Sequence, residues 1–175
     1  MTVRPATAAD AAAIAAVHIA AWRETYADLL PAAFLDGFDV VDRAARWRRI
    51  IGGPNDLGTF VAEIDGAVVG FASACPQRKA GLRADGFDAE LATVYLLRRA
   101  QRRGLGRRLV AACAGTLQAR GVVAMSLWVF RDNGPARAFY AALGAEACGT
   151  QEIDIAGTRI AEVAYGWRDL AKLME

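Results

Sequence analysis

Arg98-Arg99-Ala100-Gln101-Arg102-Arg103-Gly104-Leu105-Gly106-Arg107-Arg108 is the stretch on which the reading of this chain turns. It holds six arginines and no acid, while the whole chain carries 21 basic and 19 acidic residues for a net charge of +2. The remainder is therefore net acidic, and positive charge is gathered in one place. Behind it, Leu105, Leu109, Cys113 and Leu117 recur at i, i+4, which predicts a helix from about Gly104 to Arg120, closed by Gly121. The arginines thus precede and enter the first turn of a helix. The positive end of the dipole disfavours exposed cations there by roughly 0.3–1 kcal/mol each. Local stability asks for Asp or Glu; arginine predicts an anion in the loop. Gly104 and Gly106, lacking Cβ atoms, let backbone N–H groups approach phosphate oxygens. Two other nucleotide fingerprints do not fit. Leu109 stands where a Rossmann loop needs its third glycine, and no Gly-Lys-Ser/Thr follows.

Outward from the loop, the pattern alternates between strands and helices. Thr2–Arg4 predicts a short strand, and Thr7 with Asp10 predicts a helix start carrying Ile14, Val17 and Ala21 inward as far as Tyr26. Pro31 opens a short helical piece, and a third helix spans Val41–Ile51 with Trp47 and Ile50 facing in. Thr59–Ile64 and Ala67–Ala74 flank Asp65-Gly66, a hairpin signal. The polar Gln77–Asp85 is expected to be a loop, and Phe87–Leu97 a long strand leading into the arginines. After the helix, Val122–Val129 reads as a central strand. Gly134-Pro135 starts a helix ending near Gly144, and strands Glu146–Ile155 and Thr158–Trp167 flank Ala156-Gly157. The expectation is a single α/β domain over residues 1–175, with a mixed sheet of about six or seven strands flanked by helices.

Composition narrows the function class. Hydrophobic residues make up 55% of the chain, enough for a packed core. A charge of +2 does not argue for nucleic acid or an anionic membrane. The Ala-rich run Ala11–Ala21 contains His18 and is too short to span a bilayer. No leader pattern opens the sequence, and Cys75, Cys113 and Cys148 lack CxxC spacing. A cytoplasmic location, reduced thiols and no metal are the expectations.

Gln101-x-x-Gly104-x-Gly106, after a strand and opening a helix, resembles the pyrophosphate loop of the GCN5-related N-acetyltransferase (GNAT) superfamily. Glu90–Leu96 resembles that family's fourth strand and Leu127-Trp128-Val129 its fifth. Asn133-Gly134-Pro135-Ala136-Arg137-Ala138-Phe139-Tyr140-x-x-Leu143-Gly144 resembles its helix ending in Tyr and Gly. The order of elements matches from Thr2 to Trp167. One departure is Arg98, where the family often has Pro. The resemblance implies an acetyl-CoA-dependent N-acetyltransferase, splayed between its fourth and fifth strands, that acetylates a primary amine on a small molecule or peptide in a ternary complex. Pantetheine would pair with Val94, Tyr95 and Leu96, and the diphosphate would sit on Gln101, Arg102, Arg103, Gly104, Leu105, Gly106 and Arg107. It also implies a homodimer edge along Ile153–Trp167.

Direct transfer needs a neutral amine, a polarised thioester carbonyl and a proton for the departing thiolate. Tyr140 is the candidate acid: a phenol of reference pKa about 10 donates to a thiolate whose thiol titrates near about 8.5. Asn133, seven residues before it, is expected on the same helical face, binding the cofactor through its amide. Glu90, expected on one face with Ala92 and Val94, is the candidate base, directly or through water; some family members use water alone. Trp22 and Tyr26 form an i, i+4 aromatic pair where the family covers its acceptor. Glu24 beside them favours a cationic acceptor, whereas Arg78, Lys79 and Arg83 favour an acidic one, and the sequence leaves the two readings open. His18, on an Ala-rich helix, is read as packing. Of the rivals, a non-catalytic acyl-CoA-binding module would keep the arginine loop and dispense with Tyr140 and Glu90. Nucleic-acid binding lacks interleaved aromatics, and a covalent route through Cys75 lacks a histidine partner.

Overall fold

The computed structural model describes residues 1–174. Seven strands form one sheet: β1 (Thr2–Pro5), β2 (Gly58–Ile64), β3 (Ala67–Pro76), β4 (Ala89–Leu96), β5 (Met125–Phe130), β6 (Glu146–Ile155) and β7 (Thr158–Trp167). Their spatial order is β1-β2-β3-β4-β5-β7-β6. Every neighbouring pair is antiparallel except β4 and β5. The helices are α1 (Ala11–Tyr26), α2 (Ala32–Asp36), α3 (Val40–Ile50), α4 (Ala80–Ala84), α5 (Leu105–Ala119) and α6 (Gly134–Ala142).

Two cores lie on opposite faces of the sheet. On one, Leu105, Leu109, Cys113 and Leu117 of α5 meet Ala72, Leu91, Met125 and Leu127 of the strands, with Tyr140 of α6 against Trp167. On the other, Ile14 and Val17 of α1 and Trp47 of α3 pack on Val61 and Phe71. Full burial of such a Leu or Ile side chain contributes about 1.5–3 kcal/mol. The stripes read from helical spacing are thus the faces that are buried. At the start of α1, Thr7 donates both its N–H and its hydroxyl to Asp10, at 2.8 and 3.0 Å, so the expected start forms, first as a single 3₁₀ turn. Both hairpins turn on positive-φ pairs, Asp65-Gly66 (φ 51° and 78°) and Ala156-Gly157 (52° and 81°).

Three expectations are corrected. Gln77–Asp85 is not all loop: α4 forms inside it because Leu82 is buried against Phe87 and Ala164. Gln77 is also buried, donating to Ser126 Oγ at 2.6 Å. The strand after α5 starts at Met125, not Val122; Val123 is 64% exposed and its carbonyl takes Leu170 N–H instead of a ladder bond. The third concerns β4. Ser73 faces Thr93 while Ala74 faces Leu91, so Ala92 is an extra residue in the strand. The alternation flips there: Leu91 and Val94 both contribute to the α5 core, and Tyr95 to the other. Glu90 therefore does not share a face with Val94; it shares one with Tyr95.

Candidate active site: an open seam ending on a bare helix terminus

The two parallel strands meet only at Ala89–Met125 and Glu90–Ser126, although β4 continues to Leu96 and β5 to Phe130. On their outer sides β3 and β7 follow them to the end. The result is a V-shaped opening in the middle of the sheet, widening toward the strands' C-terminal ends. In this position residues 92–97 are only half-buried. Leu97 N–H donates to Val69 across β3 at 2.9 Å. Alternation then turns the amides of Val94 and Leu96 toward the opening, where no strand meets them. The Leu96 carbonyl is already used, accepting from Gln101 Nε2 at 3.1 Å. Gln101 thus fastens the loop to the end of β4 with its side chain.

The opening leads to the start of α5. Arg102 has φ 60° and Gly104, the N-cap, φ 78°, two left-handed residues within three positions. For arginine that conformation costs of order 1 kcal/mol, and such alternation gathers successive N–H groups into an anion-binding concavity. No side chain among the described residues caps this helix. The N–H groups of its first turn, Leu105 to Arg107, have no intrahelical acceptor. A Cβ at Gly106 would stand 3.1 Å from the Phe139 ring and 3.4 Å from Leu96, so glycine lets α5 close on α6 and β4. Leu105 is 1% exposed and offers the site its backbone alone. The arginines divide by role. Arg98 donates its N–H to Glu24 Oε2 (2.7 Å) and its guanidinium to the Glu24 carbonyl (2.6 Å). Arg108 reaches the Met1 carbonyl at 3.2 Å. Arg102, Arg103 and Arg107 are exposed and hold no carboxylate within 4.0 Å among the described residues.

Three phenols, from α1 (Tyr26), β4 (Tyr95) and α6 (Tyr140), come close enough at the opening to act on one another electrostatically. Burial, with Tyr26 adding to it, pushes Tyr140 far above the usual phenol range; its proton is present at every ordinary pH. Burial likewise raises Tyr95 and Tyr26, the latter opposed by hydrogen bonding from Tyr95 and Asn133. Asn133 is not on a helical face with Tyr140. It is the N-cap of α6, and its Oδ1 accepts from Ala136 N–H at 3.2 Å, leaving its NH₂ for other partners.

Glu90 is 2% exposed and both its oxygens are taken by the Arg78 guanidinium, Nε to Oε2 at 3.1 Å and Nη2 to Oε1. It sits at the closed end of the V. Trp22 and Tyr26 are a pair, with ring centroids 5.1 Å apart, inside a larger aromatic wall. Tyr26 lies 4.7 Å from Phe130, and Trp22 5.4 Å from Phe38. Trp22 Nε1 lies near the Tyr95 hydroxyl but is buried with no hydrogen-bond partner. Glu24, tied to Arg98, is not free for a cationic acceptor; nor is Arg83, bound to the Gln77 carbonyl, free for an acidic one. His18 stacks on Tyr95 at 5.0 Å and accepts from Trp47 Nε1 at 3.3 Å. Burial, reinforced by Arg43 and Arg46, lowers it to about 3, so it is neutral. Burial also raises the Cys75 thiol, which makes it a poor nucleophile. The side chains of Tyr95 and Phe130 escape a sequence reading, since only the fold brings them to α1.

The chain matches the Acetyltransferase (GNAT) family over residues 19–145. It is 37% identical over 174 residues to the uncharacterized N-acetyltransferase YuaI of Bacillus subtilis (strain 168), covering 99% of this chain and 96% of that one. The structure resembles the ribosomal-protein-alanine N-acetyltransferase from Brucella melitensis, with TM-score 0.74, 26% identity, and 95% and 99% of the two chains covered. It shares its fold with yncA, a putative acetyltransferase from Salmonella typhimurium solved with acetyl-CoA, at TM-score 0.68, 24% identity, and 97% and 93% coverage. A sheet opened between β4 and β5, an uncapped glycine-lined α5 and these matches agree: the chain belongs to the GNAT acetyltransferase family and is an N-acetyltransferase.

Proposed function

We propose that the protein moves the acetyl group of acetyl-CoA directly to a primary amine, with donor and acceptor held together in a ternary complex. The observation that carries this reading is the seam between β4 and β5 running into the bare N-terminus of α5. The donor's shape and charge fit it. An extended amide-bearing arm finds unpaired strand amides at Val94 and Leu96, and a diphosphate finds the N–H groups of Gly104–Arg107 with Arg102, Arg103 and Arg107 around them. Asn133's NH₂, beside the Tyr26 phenol, adds a donor at the α6 end. Bound there, the thioester supplies an electrophilic acyl carbon and a thiolate leaving group.

The chain's own residues do the rest. Val94 or Leu96 N–H holds the oxygen on which negative charge develops, and such a donor contributes about 100- to 1,000-fold in rate. Tyr140 gives its proton to the departing sulfur and recovers one from the acylated nitrogen. Glu90, bound on both oxygens by the Arg78 guanidinium, lies at the floor of the cleft. The aromatic wall of Trp22, Tyr26 and Phe130 excludes water from the reacting atoms.

Thermal unfolding with acetyl-CoA, and with ATP and NAD as controls, tests the donor site. A ligand at about a hundred times its dissociation constant adds roughly 2.7 kcal/mol to stability. A shift with acetyl-CoA alone is expected. No shift at millimolar acetyl-CoA would remove the reading.

A further inference from the structure

Three acids are buried among the described residues: Asp10, Glu90 and Glu162. Asp10 and Glu90 each hold an arginine, Arg4 and Arg78. Glu162, on β7 and 9% exposed, has no lysine or arginine within 4.0 Å among the described residues. Its one side-chain bond is from Gln151 Nε2 to Oε2 at 2.6 Å, a cross-strand pair with β6. Buried carboxylates are ordinarily matched by a cation. This one is held in place by an amide and has no cation in contact among the described residues; Arg78, bound to Glu90, acts on it only at a distance.

Its position is specific. Glu162 faces Phe130 in the sheet register, and the Phe130 ring packs on Tyr26. Its charge is felt both by Tyr26 and by Arg78. Glu90 faces Ser126, at the closed end of the V. Phe130 is four residues further along β5, about 13 Å at 3.3 Å per residue. Val94 is likewise four residues beyond Glu90, one of them the bulge. Glu162 therefore stands level with the Val94–Leu96 amides and near the Tyr26 phenol, and Glu90 is set back toward the closed end. Two buried polar atoms on this face, Trp22 Nε1 and Thr93 Oγ1, also lack a partner. The surrounding walls are apolar: Trp22, Phe34 and Phe38 on one side, Ile153 and Ile160 on the other.

We propose that Glu162 receives the acceptor, which is a primary ammonium on an apolar stem, and takes its proton. This rests on the amine-transfer reading above. R–NH₃⁺ gives a proton to the Glu162 carboxylate. The freed nitrogen lone pair forms the C–N bond as the C–S bond breaks. Tyr140 protonates the thiolate, the amide nitrogen returns a proton to the Tyr140 oxygen, and Glu162 releases its own to solvent. One proton leaves per turnover. Gln151 keeps one carboxylate oxygen occupied so that the other meets the amine.

The test uses 2-phenylethylamine as probe and 2-phenylethanol as its uncharged counterpart, on protein saturated with CoA. The amine is expected to raise the unfolding temperature of the wild type and the alcohol is not. Glu162→Gln should lose that increment while keeping the full acetyl-CoA shift, and Glu162→Asp should retain part of it. Acetyl transfer to the probe should fall at least 100-fold in kcat/KM at neutral pH in Glu162→Gln, and part of it should return as pH rises, because the variant must take the amine already neutral, a rescue that a merely structural role does not produce. An amine increment equal in wild type and Glu162→Gln overturns the proposal. So does an increment that the alcohol matches, or none at all with the wild type. An absent acetyl-CoA shift instead strikes the donor reading, and the two failures are thereby distinguished. Should Glu162→Gln not fold, the amine–alcohol comparison and Glu162→Asp still decide.

Discussion

Replacing Tyr140 by phenylalanine removes one oxygen and leaves the ring. The ring is what folding uses: it lies 5.2 Å from Phe139 and 6.2 Å from Trp167, in the core beneath β7. No protein group among the described residues hydrogen-bonds to its hydroxyl, so the substitution orphans nothing, and stability should change by no more than about 0.5 kcal/mol. The chemical step is another matter. With Tyr140 as the proposed acid, its loss would leave the sulfur to depart as a bare thiolate. Loss of a positioned acid costs about 100- to 10,000-fold, or about 2.7–5.4 kcal/mol at 1.36 kcal/mol per tenfold. Because burial holds the Tyr140 hydroxyl far above the phenol range, the wild-type rate should show no descending limb from it below about pH 10. The assay is thiol release from acetyl-CoA with an amine acceptor, beside thermal unfolding with and without acetyl-CoA. A variant with unchanged kcat refutes the acid assignment. A variant that also loses the acetyl-CoA shift shows that the hydroxyl binds the donor rather than serving the transfer.

Exchanging Arg102, Arg103 and Arg107 together for alanine should leave the free protein as stable or slightly more so, since each exposed cation at a helix start costs roughly 0.3–1 kcal/mol, while the acetyl-CoA shift falls and loses its salt dependence; an unaltered shift across a salt series contradicts the anion-loop reading. Gly106→Val drives a branched side chain at the Phe139 ring, where even a Cβ stands 3.1 Å away; unfolding should show a loss of about 1–3 kcal/mol, with weaker acetyl-CoA binding. His18 is lowered to about 3 against about 6.5 unfolded, so the unfolded chain binds the extra proton between these values. Its stability contribution is complete above about pH 6.5 and falls by up to about 1.4 kcal/mol per pH unit down to about pH 3. Urea unfolding of His18→Gln over that window should show a shallower slope than the wild type.

The parts legible in the sequence are those written in local chemistry. The Asp65-Gly66 and Ala156-Gly157 turns need positive φ, and the residues announce it. The stripe Leu105–Leu109–Cys113–Leu117 needs a helix, and all four are buried. The arginines at the start of α5 contradict the helix dipole, and that conflict marks the loop before any coordinates do. The bulge at Ala92 is different: nothing in Leu91-Ala92-Thr93 says that β3 will skip a residue, because the skip belongs to the pairing of two strands. That one residue changes which face Glu90 occupies. Glu162 is hidden for the same reason. Along β7 it is one polar residue in an apolar run, and only the pairing with Phe130 and Gln151 sets it near the Tyr26 phenol of α1. Asn133 is the opposite case: seven-residue spacing lines it up with Tyr140, but it caps α6 and lies outside the helix.

The seam between β4 and β5 has a mechanical consequence. The sheet consists of a four-stranded half and a three-stranded half, paired at two residue positions and joined besides by the connecting helix and by contacts such as Gln77–Ser126 and Tyr26–Phe130. A donor lying in the seam, as proposed, would complete the ladder that the chain leaves unfinished. Donor affinity and the stiffness of the molecule would then be linked. A substitution that loosens the grip on the donor also lets the two halves rock, and one that welds the halves together evicts the donor. Amide exchange along β4 and β5 should therefore slow together on loading, including at positions the donor never touches.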